Sequence, residues 1–234
     1  ADSKIQNLAL EIFKDQDLYK KFKEIRTSNL DEESRTFYKD LEIDFKDAGH
    51  GLSDEKKDRL TEIEKKLIDL GISFSENIAK DKTEVLFLED ELKGLSQNEL
   101  KNLRKNNDSF VITMAYPDIN AVMENCSVRT TREIVWKAFN NRAVKENSPI
   151  LEEAVHLRNE KALLFGFKTW AEYRLQNRMA KSPKNVVSMY ESLIPKLQKA
   201  AEVEKNELAI DNIEVADITP VSYTHLRAHE TKSY

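Results

Sequence analysis

Apolar side chains recur at spacings of three and four residues along most of the chain, which is the repeat of an α-helix packed along one side. The longest such run follows Ser53 and comprises Leu60, Ile63, Leu67, Leu70 and Phe74, with Ile78 one turn further on. Fewer than four heptads are sustained, and Gly71 is expected to interrupt the helix. The pattern therefore predicts an intramolecular helical bundle rather than a coiled coil between chains.

The N-terminal part predicts shorter helices. Residues 2–27 have an apolar side that fits two short helices. Acidic residues followed by apolar residues four apart predict a helix over residues 31–48 that ends at Gly49 and Gly51, with an inward side formed by Phe37, Leu41 and Phe45. We expect His50 to be an exposed loop residue, because no other ligand type is spaced to join it at a metal.

A further helix is predicted from Ser148 and Pro149, a pair typical of a helix start. Gly166 stands where a left-handed C-terminal cap is needed, so the helix is expected to end there. Its spacings predict an inward face consisting of Leu151, Val155, Arg158, Ala162 and Phe165.

Other start signals surround this helix. Thr130 with Glu133, and Thr169 with Glu172, have the spacing of capping boxes. Ser182 and Pro183 repeat the start signal of Ser148 and Pro149 and predict one more helix, which Pro195 is expected to kink or split.

Two runs alone are strand-like, residues 83–88 (TEVLFL) and 110–115 (FVITMA), since they are rich in β-branched and aromatic residues. We expect them to pair around a helical connection at residues 91–101. The fold class predicted is therefore all-α, a helical bundle with at most a small two-stranded β element.

Composition narrows the class of protein. Only five glycines and five prolines occur in 234 residues, which is low for a sheet-rich fold. The net charge of -5 argues against a nucleic-acid partner. No apolar run approaches the length of a membrane span, so no membrane partner is expected. The single Cys126 excludes an internal disulfide and fits a reducing compartment.

Candidate chemical residues favour structural roles. Cys126 is expected to be a small buried hydrophobe, because no nucleophile signature surrounds it. His156 and Glu160 lie four residues apart, but a zinc-peptidase helix needs two histidines at that spacing with a glutamate after the first. An interhelical hydrogen bond is therefore favoured for His156.

Three arginines leave two interpretations open. Arg129, Arg132 and Arg142 could form a pocket for a peptide carboxylate, but pairing with glutamates on neighbouring helices is favoured.

Trp170 and Tyr173 are expected in the core rather than on a ligand platform. We assign no catalytic and no metal-binding residue in this chain, and the substrate-binding residues are unknown at this stage.

The chain resembles a known family in four ordered segments. These are VITMAYPDINAVMENCSVRTTR (111–132), AFNNRAVKEN (138–147), PILEEAVHLRNEKALLFGFKTWAEY (149–173) and MAKSP (179–183). They resemble the N-terminal helical region of the thimet oligopeptidase and neurolysin family of zinc metallopeptidases. The resemblance extends more loosely from Leu8 to about Leu208. The family's H-E-x-x-H motif does not occur in this sequence.

The resemblance implies a neurolysin-like fold in a cytoplasmic monomer, with an organellar form left open. It implies that the full-length parent is a zinc-dependent endopeptidase that hydrolyses short peptides in a channel between two helical halves. Zinc would polarise the scissile carbonyl there, with a glutamate as general base. This chain would supply a channel wall and no catalytic residue, bind no metal, and be inactive alone.

The domain boundary is expected near residue 218. Residues 1–218 are interpreted as an incomplete N-terminal helical region. Residues 219–234 no longer follow the family, resemble a translated cloning or adaptor sequence, and are expected to be disordered. His225 and His229 within this tail lie four residues apart but lack the glutamate positions of a zinc-peptidase helix.

A competing hypothesis is a non-catalytic helical module for protein interaction. In it, the long apolar helix between Leu60 and Ile78 would bind a partner helix.

Overall fold

The computed structural model describes residues 12–207. The α-helices there are α1 (Gln16–Lys23), α2 (Glu32–Asp47), α3 (Asp54–Lys80), α4 (Gln97–Asn102), α5 (Tyr116–Asn125), α6 (Arg129–Asn140), α7 (Val144–Leu164), α8 (Trp170–Leu175) and α9 (Pro183–Glu207). Short 3-10 helices span Thr27–Asn29 and Glu89–Leu92. The mainly helical fold class predicted from the sequence is confirmed. The tail at residues 219–234 lies outside the described residues.

The chain divides into two compact units. The first contains the described residues up to Ile72 together with Leu151–Met189, and the second contains Ser73–Ile150 and the described residues from Tyr190 onward. Helices α3, α7 and α9 each contribute residues to both units.

A small antiparallel sheet lies in the second unit. Its strands β1 (Glu84–Phe87), β2 (Arg104–Asn106) and β3 (Ser109–Thr113) have the order β1-β3-β2. The predicted pairing of residues 83–88 with 110–115 is confirmed, with Leu86 opposite Val111. Strand β2 was not predicted, because all three of its residues are polar and exposed and so have no apolar alternation. It pairs through a tight turn in which Asn107 has a φ of 54°, a conformation that asparagine tolerates.

The core of the second unit forms where the sheet meets α5 and α6. Its most deeply buried apolar side chains are Leu92, Val111, Ile112, Val122, Cys126 and Val135. The first unit has an aromatic cluster around Phe45, whose ring packs against Phe13, Tyr19, Phe22 and His50. Phe45 lies on the buried side of α2, as predicted, whereas Phe37 is exposed.

Several predicted helix ends are confirmed by their caps. The Asp31 carboxylate accepts a hydrogen bond from the N–H of Ser34 at the start of α2. Gly166 has a φ of 82°, and the N–H of Phe167 donates to the carbonyl of Ala162, as in a Schellman motif. The Thr169 hydroxyl accepts from the N–H of Glu172, as the predicted capping box requires.

Helix α7 corrects the start predicted at Ser148 and Pro149. The helix begins at Val144, so Pro149 lies inside it. The carboxylate of Asp81 accepts a hydrogen bond from the N–H of Ala143 at 2.9 Å and thereby caps the helix earlier. This partner is distant in sequence, so the local start signal did not reveal it.

The inward face predicted for α7 is also wrong in part. Leu151, Val155 and Arg158 are exposed, whereas Ala154 and Leu157 are buried together with Ala162. Both faces carry apolar residues, so periodicity alone did not distinguish them.

Two other helix predictions are corrected, and of the kink or split predicted at Pro195 the split is excluded. Helix α3 runs through Gly71 without interruption, and α9 runs through Pro195 without splitting. Helix α6 begins at Arg129 rather than at a Thr130 cap. The neighbouring Thr131 hydroxyl is buried and donates to the carbonyl of Glu91 at 2.7 Å.

Candidate functional site

The Cys126 side chain is 1% exposed, which confirms the prediction of a small buried residue. Its sulfur lies 3.5 Å from the carbonyl oxygen of Glu91. Burial raises the pKa of the Cys126 thiol. The group is therefore a protonated thiol at neutral pH and is unsuited to nucleophilic catalysis.

His156 and Glu160 do not form a metal helix. The His156 side chain is exposed and makes no hydrogen bond with another described residue, so the predicted interhelical bond is not found within residues 12–207. Glu160 accepts two hydrogen bonds from Arg59, at 2.6 Å from Nε and 2.8 Å from Nη2. Hydrogen bonding to Arg59 lowers the pKa of Glu160. Within residues 12–207, no group of three or more histidine, cysteine, aspartate or glutamate residues is placed to hold a metal ion.

The three arginines are dispersed over different partners. Arg129 forms an ion pair with Glu133 at 3.1 Å, one turn further along the same helix rather than on a neighbouring helix as predicted. Arg132 is buried and donates to the carbonyl of Cys126 at 2.8 Å. Arg142 stacks on the ring of Phe139 and donates to that residue's carbonyl at 2.8 Å. Arg132 and Arg142 thus both donate to backbone carbonyls.

His50 corrects the prediction of an exposed loop residue, because only 6% of it is exposed. Its ring stacks on Tyr19 with the centroids 4.2 Å apart. Its Nε2 lies 2.7 Å from the carbonyl oxygen of Phe13, so that nitrogen carries the proton and donates. The glycines on both sides allow the chain to turn the imidazole inward, since Gly49 has a φ of 101° and Gly51 a φ of 91°.

Tyr173 is in the core, as predicted, and it also forms part of a cavity in the first unit. The cavity has a volume of about 380 Å³. Its apolar wall consists of Ile43, Leu52, Leu164, Phe165 and Phe167, and its polar groups belong to Lys46, Asp47, His50, Tyr173 and Gln176. The ring of Tyr173 stacks on Phe165 at 5.3 Å and is held there by Phe167 and Trp170.

The Asp47 carboxylate and the Tyr173 hydroxyl both line this cavity and interact with each other there. Desolvation raises the pKa of Asp47, while the hydrogen bond from Tyr173 and the nearby charges of Lys161 and Arg174 act in the opposite direction. Burial, followed by the charge of Asp47, raises the pKa of the Tyr173 hydroxyl. The Tyr173 hydroxyl therefore stays protonated at neutral pH and can donate a hydrogen bond.

Sequence reasoning missed Asp47 altogether. The one local signal is its place as the last residue of α2, where a negative charge lies against the negative end of the helix dipole. Its partner Tyr173 comes from α8, far along the chain, so the pairing depends on the fold.

The comparisons with known proteins agree with the resemblance seen in the sequence. Residues 122–217 match the model of Peptidase family M3. The chain is 35% identical over 195 residues to "Thimet-like oligopeptidase" of Dictyostelium discoideum, a match that covers 82% of this chain and 29% of that protein. It is 33% identical to "Saccharolysin" of Saccharomyces cerevisiae, over 73% of this chain and 25% of that protein. It is 32% identical to "Oligopeptidase A" of Haemophilus influenzae, over 70% of this chain and 27% of that protein.

The chain is thus a relative of the M3 peptidases. Among them it resembles the oligopeptidases of the thimet type, and the family predicted from the sequence is confirmed. The chain spans about 29% of the length of the first curated relatives it matches. None of the helices in the described part is both long enough and apolar enough to cross a membrane.

Proposed function

We propose that this chain is the N-terminal helical section of a zinc-dependent metalloendopeptidase that hydrolyses short peptides. Residues 1–218 would form this section, which supplies a helical wall of the peptide channel and no catalytic residue. Residues 219–234 would not belong to the folded peptidase. The similarity to "Thimet-like oligopeptidase" over 82% of the chain is the observation that carries the proposal.

Zinc does not fit the residues of this chain. The sequence of 234 residues contains no H-E-x-x-H motif, and the described residues offer no cluster of ligands. We therefore assign the metal to another part of the full-length parent. The chain alone is expected to be catalytically inactive.

The role of a wall is supported by the way α3 is tied to α7 within the first unit. Lys161 forms an ion pair with Glu64 at 2.7 Å, and only 15% of its side chain is exposed. Arg59 binds Glu160, and Lys66 pairs with Glu153. Three cross-helix pairs along one seam hold these helices in register, which suits a surface against which peptides are positioned.

The exposed surface of helix α9 supports the proposal that this chain is part of a larger protein. From Val187 to Val203 every residue of this helix is exposed. The exposed apolar side chains include Val187, Tyr190, Ile194, Leu197 and Val203. Apolar surface of this extent marks a region that packs against further protein. In the full-length parent we expect α9 to be covered.

The partners of the parent would be short peptides, and we propose a cytoplasmic monomer. The single buried thiol of Cys126 is compatible with a reducing compartment.

The test is to sequence the gene downstream of the codon for Ile218 and to express the complete reading frame. We expect H-E-x-x-H and a later glutamate in the continued frame, and chelator-sensitive cleavage of a quenched oligopeptide by the product. The isolated chain should give no cleavage above a buffer control. Chelator-sensitive cleavage by the isolated chain would contradict the assignment of the catalytic residues elsewhere.

The second candidate function is the helical interaction module, and one observation favours it. Ile68 and Ile72 lie one turn apart on α3 and are both exposed. Concentration-dependent self-association that is lost in the double variant Ile68→Asp and Ile72→Asp would favour it. Leu67 is half-buried, so its replacement would test the fold rather than an interface.

A further inference from the structure

The cavity of the first unit has the size and lining of a small-molecule site. Its volume of about 380 Å³ lies within the range of roughly 300–1,000 Å³ for such sites. Five apolar side chains form one wall, and five polar or charged side chains, Asp47 among them, complete the lining. This combination accepts a compact apolar body and orients it through a small number of hydrogen bonds.

Asp47 is the polar group without a charged partner. Within the described part of the chain, no Lys, Arg or His nitrogen lies within ion-pair distance of its carboxylate. A carboxylate has several acceptor positions, and the Tyr173 hydroxyl beside Asp47 can occupy only one of them. A partly desolvated carboxylate gains most from a cation placed against it.

The neighbouring cations are already engaged elsewhere. Lys46 lies 3.3 Å from Glu42, and Lys161 lies 2.7 Å from Glu64. Arg174 is exposed with its guanidinium over the ring of Trp170. His50 donates its Nε2 proton to the carbonyl of Phe13. Asp44, one turn before Asp47, adds a second negative charge nearby. Each of these nitrogens thus has another partner, and the Asp47 carboxylate lies at the cavity without an ion pair of its own among the described residues.

We propose that this cavity binds a primary ammonium group carried by a compact apolar body, with the Asp47 carboxylate as its counter-ion. The apolar body would lie against Phe165 and Phe167, and the ammonium would donate to Asp47 beside the Tyr173 hydroxyl. Such a group belongs to an arylalkylamine or to the amino terminus of a peptide with an apolar first residue. The proposal is independent of the peptidase function, since it rests on the cavity alone.

The full 234-residue chain is titrated with 2-phenylethylammonium, and binding is followed by calorimetry and by NMR shifts of assigned cavity residues. Neutral 2-phenylethanol and anionic 3-phenylpropionate are the matched probes. We expect the ammonium to bind more tightly than both, with shifts at Phe165 and Tyr173. A tripeptide Phe-Gly-Gly is titrated in parallel, and the tighter of the two ammonium ligands identifies the source.

Asp47→Asn is expected to weaken 2-phenylethylammonium by about ten-fold or more, since a hydrogen bond to a charged group is lost. Asp44→Asn, an exposed residue one turn earlier, is the control and should change binding much less. Gln176 is exposed at the cavity, so Gln176→Lys should weaken and Gln176→Glu should strengthen binding without disturbing the core. Equal binding of the neutral probe, or no response to these charge changes, would overturn the proposal.

Discussion

The side-chain amide of Asn147 accepts a hydrogen bond from Asn77 Nδ2 at 2.9 Å and donates one to the carbonyl of Phe74 at 3.1 Å. Asn147 is only 5% exposed, so both polar ends of a buried amide are satisfied by α3. This pair joins α3 to the first turns of α7 inside the second unit. Because both hydrogen bonds require this alignment of the two helices, they specify a single register of α7 on α3, which an apolar contact would not.

Asn147→Ala should therefore destabilise the protein by about 1–3 kcal/mol, because it removes two part-buried hydrogen bonds and leaves the Asn77 amide without this partner. The measurement is chemical denaturation with urea, followed by circular dichroism. Glu146→Ala changes the adjacent exposed residue and should alter the free energy of unfolding far less. Equal losses for the two variants would mean that the amide network contributes nothing specific.

Gly94 is expected to tolerate no side chain. Its φ is 106°, and a Cβ at this position would overlap the carbonyl oxygen of Asn125. Gly94→Ala should cost more than the roughly 1–3 kcal/mol of backbone strain alone, because the clash is with backbone that cannot turn away.

Gly51→Ala is the matched control for this effect. Gly51 has a φ of 91°, yet nothing lies within 4 Å of the added Cβ. It should show strain without a clash, so its loss of stability in the same urea titration should be the smaller of the two. A larger loss at Gly51 would contradict the packing described around Gly94.

The stability of the protein should depend on the ionisation of Asp47. Because its pKa is raised above the ordinary value of 3.8, the native state binds the proton more tightly than the unfolded state does. The contribution of Asp47 to stability is then greatest at low pH and falls as the pH rises from 3.8 through the raised pKa.

Asp47→Asn should remove this pH-dependent loss of stability. Relative to the wild type, the variant should therefore become more stable as the pH increases from 3.8 through the raised pKa of Asp47. The measurement is the free energy of unfolding at a series of pH values from acid to neutral. Asp44→Asn removes only a minor cause of the raised pKa of Asp47, so this variant should keep most of the wild-type fall in stability. A wild-type contribution that rises with pH at Asp47 would reverse the sign and refute the desolvation argument.

The Cys126 thiol should react slowly in the native protein. Its burial raises its pKa and blocks access, so a thiol reagent at pH 8 should label it at a small fraction of the rate of a free cysteine. In urea the rate should reach that of an unstructured thiol. Rapid labelling under native conditions would show that the core around Val122 and Val135 opens readily.

Periodicity and caps predicted much of the secondary structure. Local interactions between residues close in sequence can be predicted from the sequence alone. Examples are the helix after Asp31, the cap at Gly166 and the two apolar strands. Strand β2 was missed because its polar residues pair through the backbone alone. The start of α7 was misplaced because its capping carboxylate, Asp81, is distant in sequence.

By itself, the sequence determined the mainly helical class, the relation to the M3 peptidases and the absence of an H-E-x-x-H motif from these 234 residues. Each of these depends on residue order or on local propensity. Only the tertiary structure decided that His50 is buried, which face of α7 packs inward, and that Asp47 meets Tyr173 beside a cavity. These three features depend on which side chains, distant in sequence, exclude water from each other. Hydrophobic burial is non-directional, so the spacing of residues along the chain does not specify those contacts.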